Sequence, residues 1–518
     1  MHHTTPARPE LSSRLHQLLL AGQIGADEPG AVIAVYRDGT LLASACAGLA
    51  DAPGGAALSP DTMMNVASIS KQMTAAAVLL AVRAGTLDLD ADLRGLVPEL
   101  QLSGVTLRNC LNHTAGLPDY LAVAYTVGMP EIEIAALRTF LDWLSRVGAH
   151  EFRPRERQSY SNTGYVLAAV ALERAAGKPF PLVLAETVLL PLGMTGSFST
   201  TVLGEFSAGM AFSFTRTDSG EFEKETMGVG TVAPVRGVNG DGEVITSLNE
   251  FGAWQGFLLD GRVLGEDIRQ ALLTKTVLTD GRETSYGFGI EHETRAHTTA
   301  YAHSGGMWGF SAYSIVDPAT GISVACFSNR GGFRSSEAAW TAMHFASGFG
   351  DVAGHWYSTQ TFMGAQLAVQ ADGNLAARTG LTEDAETAHW AGGHVWHGAD
   401  DFARIEAIPT GLAITSWFGI TDRYERVEPV AEYPRGLLGA YREPTFDAAY
   451  LFEERGDELW LVPPGREPER VLPFGRRHGG WIGETTLGWV LFDGTRAEPV
   501  RIGLGTYSTA LFRAEREQ

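Results

Sequence analysis

The chain has 518 residues, with 39 basic against 60 acidic side chains and a formal net charge of −21. That acidity repels phosphate backbones and argues against nucleic acid as a partner, while favouring cationic substrates such as free amines. The hydrophobic fraction of 45% describes a globular chain with a sizeable core, and its length exceeds what one domain usually holds.

Three cysteines, Cys46, Cys110 and Cys326, stand far apart without a C-x-x-C pair, which argues against a disulfide framework and a cysteine metal site. Met1–Glu10 is polar, and no run is apolar enough to span a bilayer. A cytoplasmic protein without a membrane partner is expected.

In chain order, Val32–Tyr36 is a β-branched apolar run, Arg37–Thr40 carries an Asp-Gly turn, and Leu41–Ala47 runs back, a hairpin pattern. Ser68–Ala84 predicts a helix buried nearly all round, since Met73–Val82 has no charge. Tyr165–Ala176 and Phe180–Leu190 predict two more helices, with Gly177 as a stop between them. Ala312–Val316 and Ile322–Ser328 predict strands joined by the turn Asp317–Gly321. Strands at both ends and helices between imply an α+β domain over 1–345 whose terminal strands share one sheet.

After about residue 350 short alternating strands replace the helical periods. Gly354–Tyr357, Gln366–Val369 and Asp372–Leu375 are echoed by Gly439–Arg442, Tyr450–Phe452 and Gly456–Leu459. Two small antiparallel β-barrel domains are expected, over 350–432 and 436–518, with a boundary near Tyr433–Gly436; one larger all-β domain is the alternative. These regions could serve substrate gating or a homodimer contact.

Three short motifs carry chemistry. Ser68-Ile69-Ser70-Lys71 is an S-x-x-K at the start of the buried helix, where positions i and i+3 share a face and set an amine beside a hydroxyl. A desolvated lysine gives up its proton readily and can accept one from serine. Tyr160-Ser161-Asn162, expected on a short loop, offers a phenol as a base and a carboxamide that can donate to a substrate carbonyl. His303-Ser304-Gly305-Gly306 enters a strand whose small residues let a substrate backbone lie alongside. Each motif alone is weak, and a chain this long yields S-x-x-K by accident about once. Their order and spacing together carry the argument.

The set resembles the S-x-x-K, S-D-N and K-T-G motifs of serine β-lactamases and penicillin-binding proteins, with tyrosine and histidine replacing serine and lysine. The resemblance extends to Leu111–Pro118 (Leu-Asn-His-Thr-Ala-Gly-Leu-Pro), Pro191–Met194, and Tyr286-Gly287-Phe288-Gly289, which is similar to a Y-G-x-G strand of the family. His113 and Gly116 are read as architectural.

The resemblance implies a β-lactamase/transpeptidase-like catalytic domain followed by two lipocalin-like barrels. It also implies a serine hydrolase with Ser68, Lys71, Tyr160 and His303 as catalytic residues and no metal or cofactor. Length and layout are similar to those of D-aminopeptidases. That likeness puts Asn162, Asp241, Glu291, Gly305 and Gly306 at the substrate, with Asp241 and Glu291 holding a free amine. The implied substrate is a small peptide, amide or ester. A family VIII-type esterase, or a weak β-lactamase or DD-peptidase-like hydrolase, is the alternative. A loop that limits substrate size in D-aminopeptidases has a shorter counterpart here, around Trp481–Trp489.

Overall fold

The computed structural model describes residues 9–347, apart from 23, 53, 201–208, 218, 226–234 and 296–297; beyond them it describes chiefly the strands and the segment 421–443. Two compact units divide the chain, Met1–Ser347 and Gly348–Gln518.

The first unit is built on an antiparallel sheet with strand order Thr40–Ala47, Ala31–Arg37, Ile322–Ser328, Phe310–Asp317, Thr298–Met307 and Glu291–Arg295. The N-terminal hairpin thus pairs with strands nearly 300 positions later, as in Ala31 opposite Ser328. Alternation assigns the faces. Ala31, Ile33 and Val35 pack with the helices Pro9–Ala21 and Ser335–Ser347, through Leu15, Leu19, Ala339 and Met343. Val32, Ala34 and Tyr36 face the larger core with Met73, Val78, Leu167 and Trp254. Both faces being covered explains why this strand is an unbroken apolar run.

The two turns of the sheet edge meet. Asp38, with φ of 49°, donates its N–H to Gly321 O at 2.9 Å. Asp317 accepts from Ala319 N–H and Thr320 Oγ1, which fixes the second turn.

The helix expected over Ser68–Ala84 is a 3₁₀ turn, Ala67–Ile69, leading into an α-helix, Ser70–Arg83, whose residues 70–79 are all buried. The helix expected from Tyr165 starts earlier, at Asn162, and ends as expected on Gly177 at φ 64°. The segment Phe180–Leu190 is a short α-helix, Phe180–Leu184, that relaxes into a π-helical turn, Ala185–Leu189.

The second unit contains, among the described residues, two closed antiparallel barrels of eight strands each, running from Gly354–Tyr357 to Thr421–Val427 and from Gly439–Glu443 to Leu511–Arg516. Trp356, Leu367, Trp396 and Ile405 fill the first; Phe452, Leu461, Trp481 and Val490 fill the second. Arg378 of the first barrel and Glu484 of the second form a two-pronged ion pair at 2.8 and 2.9 Å. Of the segment Trp481–Trp489, residues 481–485 and 488–489 belong to the strands Gly480–Thr485 and Gly488–Phe492 of the second barrel, and 486–487 lie outside the described residues.

Gly116 shows why the Leu111–Pro118 segment is restrictive in composition. Its φ is +66°, and a Cβ there would sit 2.0 Å from Phe152 O. Gly116→Ala should cost about 3 kcal/mol or more, since it adds backbone strain to a collision with main chain. Gly85 has φ +73° with nothing within 4 Å of its Cβ position, so Gly85→Ala should cost only about 1–2 kcal/mol. Equal losses for the two variants in chemical denaturation would refute the packing explanation.

Candidate active site

Ser68 sits inside the 3₁₀ turn, on a backbone held from both sides. Ala67 has φ of 47°, unusual for a residue with a Cβ. It is kept there by its N–H donating to Asn65 Oδ1 at 2.6 Å, while Val66 N–H donates to Val244 O at 3.0 Å. Strand Thr298–Met307 presses on this turn. A Cβ on Gly305 would lie 2.3 Å from Val66 O, so only glycine fits. Gly306 is exposed, with open space where a side chain would be. The two glycines therefore differ in role: one admits the turn that carries Ser68 and the other leaves room beside it.

Lys71 is fully buried, at 0% exposure. Its Nζ donates to Ser68 Oγ at 3.0 Å, Asn162 Oδ1 at 2.8 Å and Asp241 O at 2.6 Å. Three acceptors match the three protons of an ammonium. The loop expected around Asn162 is instead the first turn of helix Asn162–Ala176, with Ser161 extended before it. Its first N–H is satisfied by Asp119 Oδ2 at 2.6 Å, because Ser161 provides no side-chain cap.

Tyr160 precedes this helix and is 45% exposed. Lys71 Nζ lies 5.0 Å from its ring centroid. Among the described residues its hydroxyl makes no hydrogen bond.

His303 is 3% exposed, and its ring is tied at both nitrogens. Nδ1 lies 2.6 Å from Ser304 O and Nε2 lies 2.8 Å from Tyr286 Oη. A carbonyl can only accept, so the proton is on Nδ1, and Nε2 accepts from the Tyr286 hydroxyl. Burial, with Lys71 nearby, lowers the imidazole pKa to about 4, so the ring is neutral. His303 makes no direct hydrogen bond to the phenol of Tyr160: both nitrogens are engaged elsewhere, and the rings are 6.2 Å apart between centroids.

Tyr286 is thus a site residue that motif reading named in its Y-G-x-G segment but gave no role. The Tyr286–Gly289 segment is also not a strand: it is a bent loop with an isolated bridge from Tyr286 to Glu291. Its glycines have packing reasons. A Cβ on Gly289 would meet Gln72 N and Lys71 C at 2.8 Å, so this loop lies directly on the lysine's backbone.

Asp241 is 4% exposed. Its Oδ2 accepts from Tyr120 Oη at 3.1 Å, and its main-chain oxygen holds Lys71. Glu243 stands beside it and accepts from Gly240 and Gly242 N–H at 2.9 and 3.0 Å. Burial, then the neighbouring Asp241 carboxylate, pushes the Glu243 carboxyl well above its usual range. Two acids flanking a glycine were the available signal for this pair.

Glu291 is not brought to Ser68. It pairs opposite Ala302, a residue of the core beneath helix Ser335–Ser347, whereas the next residue, His303, faces the other side of the sheet. The pleat places successive side chains on opposite faces, which separates Glu291 from the Ser68 pocket. Burial, with Glu293 beside it, raises its carboxyl pKa. His113 is buried within the aromatic cluster, its ring centroid 4.2 Å from that of Tyr160 and 4.8 Å from that of Tyr286.

Among the described residues, no group of three His, Cys, Asp or Glu side chains is placed to hold a metal ion, and no helix is long and apolar enough to cross a membrane. Cys46, Cys110 and Cys326 are all free.

Comparison with known proteins places this geometry. The family described as Beta-lactamase matches residues 17–347. Penicillin-binding protein 4* of Bacillus subtilis is 27% identical over 294 residues, covering 55% of this chain and 64% of that protein. D-aminopeptidase of Brucella anthropi is 25% identical over 453 residues, covering 83% of this chain and 82% of that protein. The octameric penicillin-binding protein homologue from Pyrococcus abyssi superposes with a TM-score of 0.57 at 16% identity, over 98% of this chain and 99% of that one. The chain spans between 53% and 64% of the length of the first curated relatives it matches. With that family match covering well over half of its residues, the chain belongs to the Beta-lactamase family.

Proposed function

We propose that the protein is a serine hydrolase that works through an acyl-enzyme on Ser68. The observation that carries this reading is the wholly buried Lys71 amine 3.0 Å from the Ser68 hydroxyl, on a helix face with no other charge. Ser68 Oγ attacks an amide or ester carbonyl, and its proton passes into the Lys71–Tyr160 pair, which shares the base role. The leaving amine or alcohol takes that proton as the tetrahedral intermediate collapses. Water then attacks the ester and releases the acid. The N–H groups of Ser68 and of the strand beside Gly306 stabilise the oxyanion. Asn162 orients the lysine and the acyl side. His303, neutral and tied to Tyr286, acts as a fixed polar wall of the pocket.

The finer reading is an aminopeptidase or amidase that releases N-terminal D-amino acids. It is supported by similarity to proteins named D-aminopeptidase and by the Asp241 carboxyl, on the residue whose main-chain oxygen holds Lys71. Glu291 is withdrawn from amine recognition, since it faces the other side of the sheet. One observation favours the alternative of an esterase or weak β-lactamase-like hydrolase: Asp241 is 4% exposed, so an ammonium reaches it only if the Asn239–Glu243 segment yields.

Ser68→Ala should lower kcat by several orders of magnitude in a fold of unchanged stability; activity within tenfold of the parent refutes the assignment. Hydrolysis of D-alanyl-p-nitroanilide should stop when its amine is acetylated. Equal rates with and without the acetyl group, or turnover of p-nitrophenyl butyrate alone, would select the esterase.

The neutral His303 also predicts a pH dependence. Its folded pKa of about 4 lies below the unfolded value of about 6.5, so the unfolded chain binds the extra proton. Stability is complete above about pH 6.5 and falls as pH drops toward 4, by about 3 kcal/mol from this group. His303→Asn should flatten that slope by about one proton; an unchanged slope in denaturation at several pH values would refute a buried neutral ring.

A further inference from the structure

Tyr160 poses a positional problem. Its side chain is 45% exposed, and among the described residues its hydroxyl makes no hydrogen bond. A phenol that shares a proton with Lys71 must nevertheless be held within a fraction of an ångström of its working place. The restraint comes from His113. Ser159 N–H, just before Tyr160, donates to His113 O at 2.9 Å. Ser161 N–H, just after it, donates to His113 Nδ1 at 3.1 Å. The imidazole then lies against the phenol ring itself, with centroids 4.2 Å apart and planes tilted by 36°. One residue therefore grips both flanking peptides and one ring face of Tyr160.

The grip continues a rail. Glu151 N–H donates to Gly116 O at 2.9 Å and Arg155 N–H to Thr114 O at 2.8 Å, so the segment 113–116 carries the chain that delivers Tyr160. The backbone of His113 is adapted to this task. Its φ of 60° lies in the left-handed region and turns its carbonyl and its ring toward the same neighbouring segment. The ring is 2% exposed and touches Tyr165 and Tyr286 on its other sides. Because Nδ1 accepts an N–H, the imidazole must be neutral with its proton on Nε2. Burial and the nearby Lys71 and His303 keep its proton affinity low, consistent with that requirement.

We propose that His113 is the positioning residue of Tyr160, acting through the Ser161 N–H bond to its Nδ1 and through ring contact, without touching substrate. This rests on the reading of Tyr160 as part of the base set of a serine hydrolase.

The test uses the full chain and two readouts, steady-state turnover and the rate at which a fluorescent fluorophosphonate labels Ser68. His113→Ala and His113→Gly remove the acceptor and the ring; glycine also accepts the positive φ without strain. Both should lower kcat and the labelling rate about 10- to 100-fold, the scale of a misplaced catalytic group, with KM within about threefold. His113→Asn keeps an acceptor near the Nδ1 position and tolerates this φ, so it should recover most of the loss. In a Tyr160→Phe background the same substitutions should have almost no further effect, since a residue that works through another is non-additive with it.

Losses of equal size with and without the Tyr160 hydroxyl, or full kcat in His113→Gly, would overturn the proposal. If the alanine and glycine variants fail to fold, the asparagine cycle decides alone: any loss it shows must vanish in Tyr160→Phe. Failure of the parent protein to be labelled or to hydrolyse any amide or ester would instead refute the hydrolase reading, and is separate from either outcome.

Discussion

An amine carried wholly out of water must find acceptors for its protons, or its burial costs several kcal/mol. Lys71 finds three, and each comes from a different part of the chain: the 3₁₀ turn at Ser68, the start of the helix at Asn162, and the main chain at Asp241. That requirement organises the first unit. The helix Ser70–Arg83 is set down through its core, the helix Asn162–Ala176 points its first residue at the lysine, and the Asn239–Glu243 loop closes over it. The Tyr286–Gly289 loop completes the enclosure, with a glycine where any side chain would push the lysine's backbone away.

Around this amine the remaining polar groups are arranged as neutral ones. Two imidazoles, His113 and His303, are each fixed in one tautomer by partners of known polarity, a peptide N–H in one case and a carbonyl and a phenol in the other. A positive charge on either ring would meet Lys71 in a poorly solvated pocket. The Asp241–Glu243 pair lies on the loop that also gives Lys71 a main-chain acceptor, and there the Glu243 carboxyl, raised well above its usual range by burial and by Asp241, accepts the N–H groups of Gly240 and Gly242.

The second unit answers a different constraint. Closing eight short strands into a barrel removes the exposed edges that open sheets present, and each barrel fills its interior with its own tryptophans and aliphatic side chains. The two-pronged pair Arg378–Glu484 and the His355 ring, whose Nδ1 lies 2.8 Å from Phe474 O, tie the barrels to each other. Two internally closed cores joined through polar contacts fit the repeat seen in the sequence, one pattern used twice.

The one-dimensional pattern by itself determined what depends on neighbours a few positions apart. Continuous apolar runs on either side of turn sequences marked the hairpin and the strands after Phe310. An uncharged helical run marked the buried helix, and the i, i+3 spacing set an amine beside Ser68. The loss of helical period after about residue 350 marked the barrels.

Tertiary packing alone decided what depends on partners far along the chain: Lys71 reaches Asn162 across 91 positions and Asp241 across 170. It decided that Tyr286 takes the free nitrogen of His303, that Asp241 is buried, and that His113 grips Tyr160. It also decided that Glu291 faces away, because one step along a pleated strand reverses a side chain and the register is set by pairing with a neighbouring strand. Short-range periodicity encodes which residues share a face; which faces meet is chosen by the burial of the whole core.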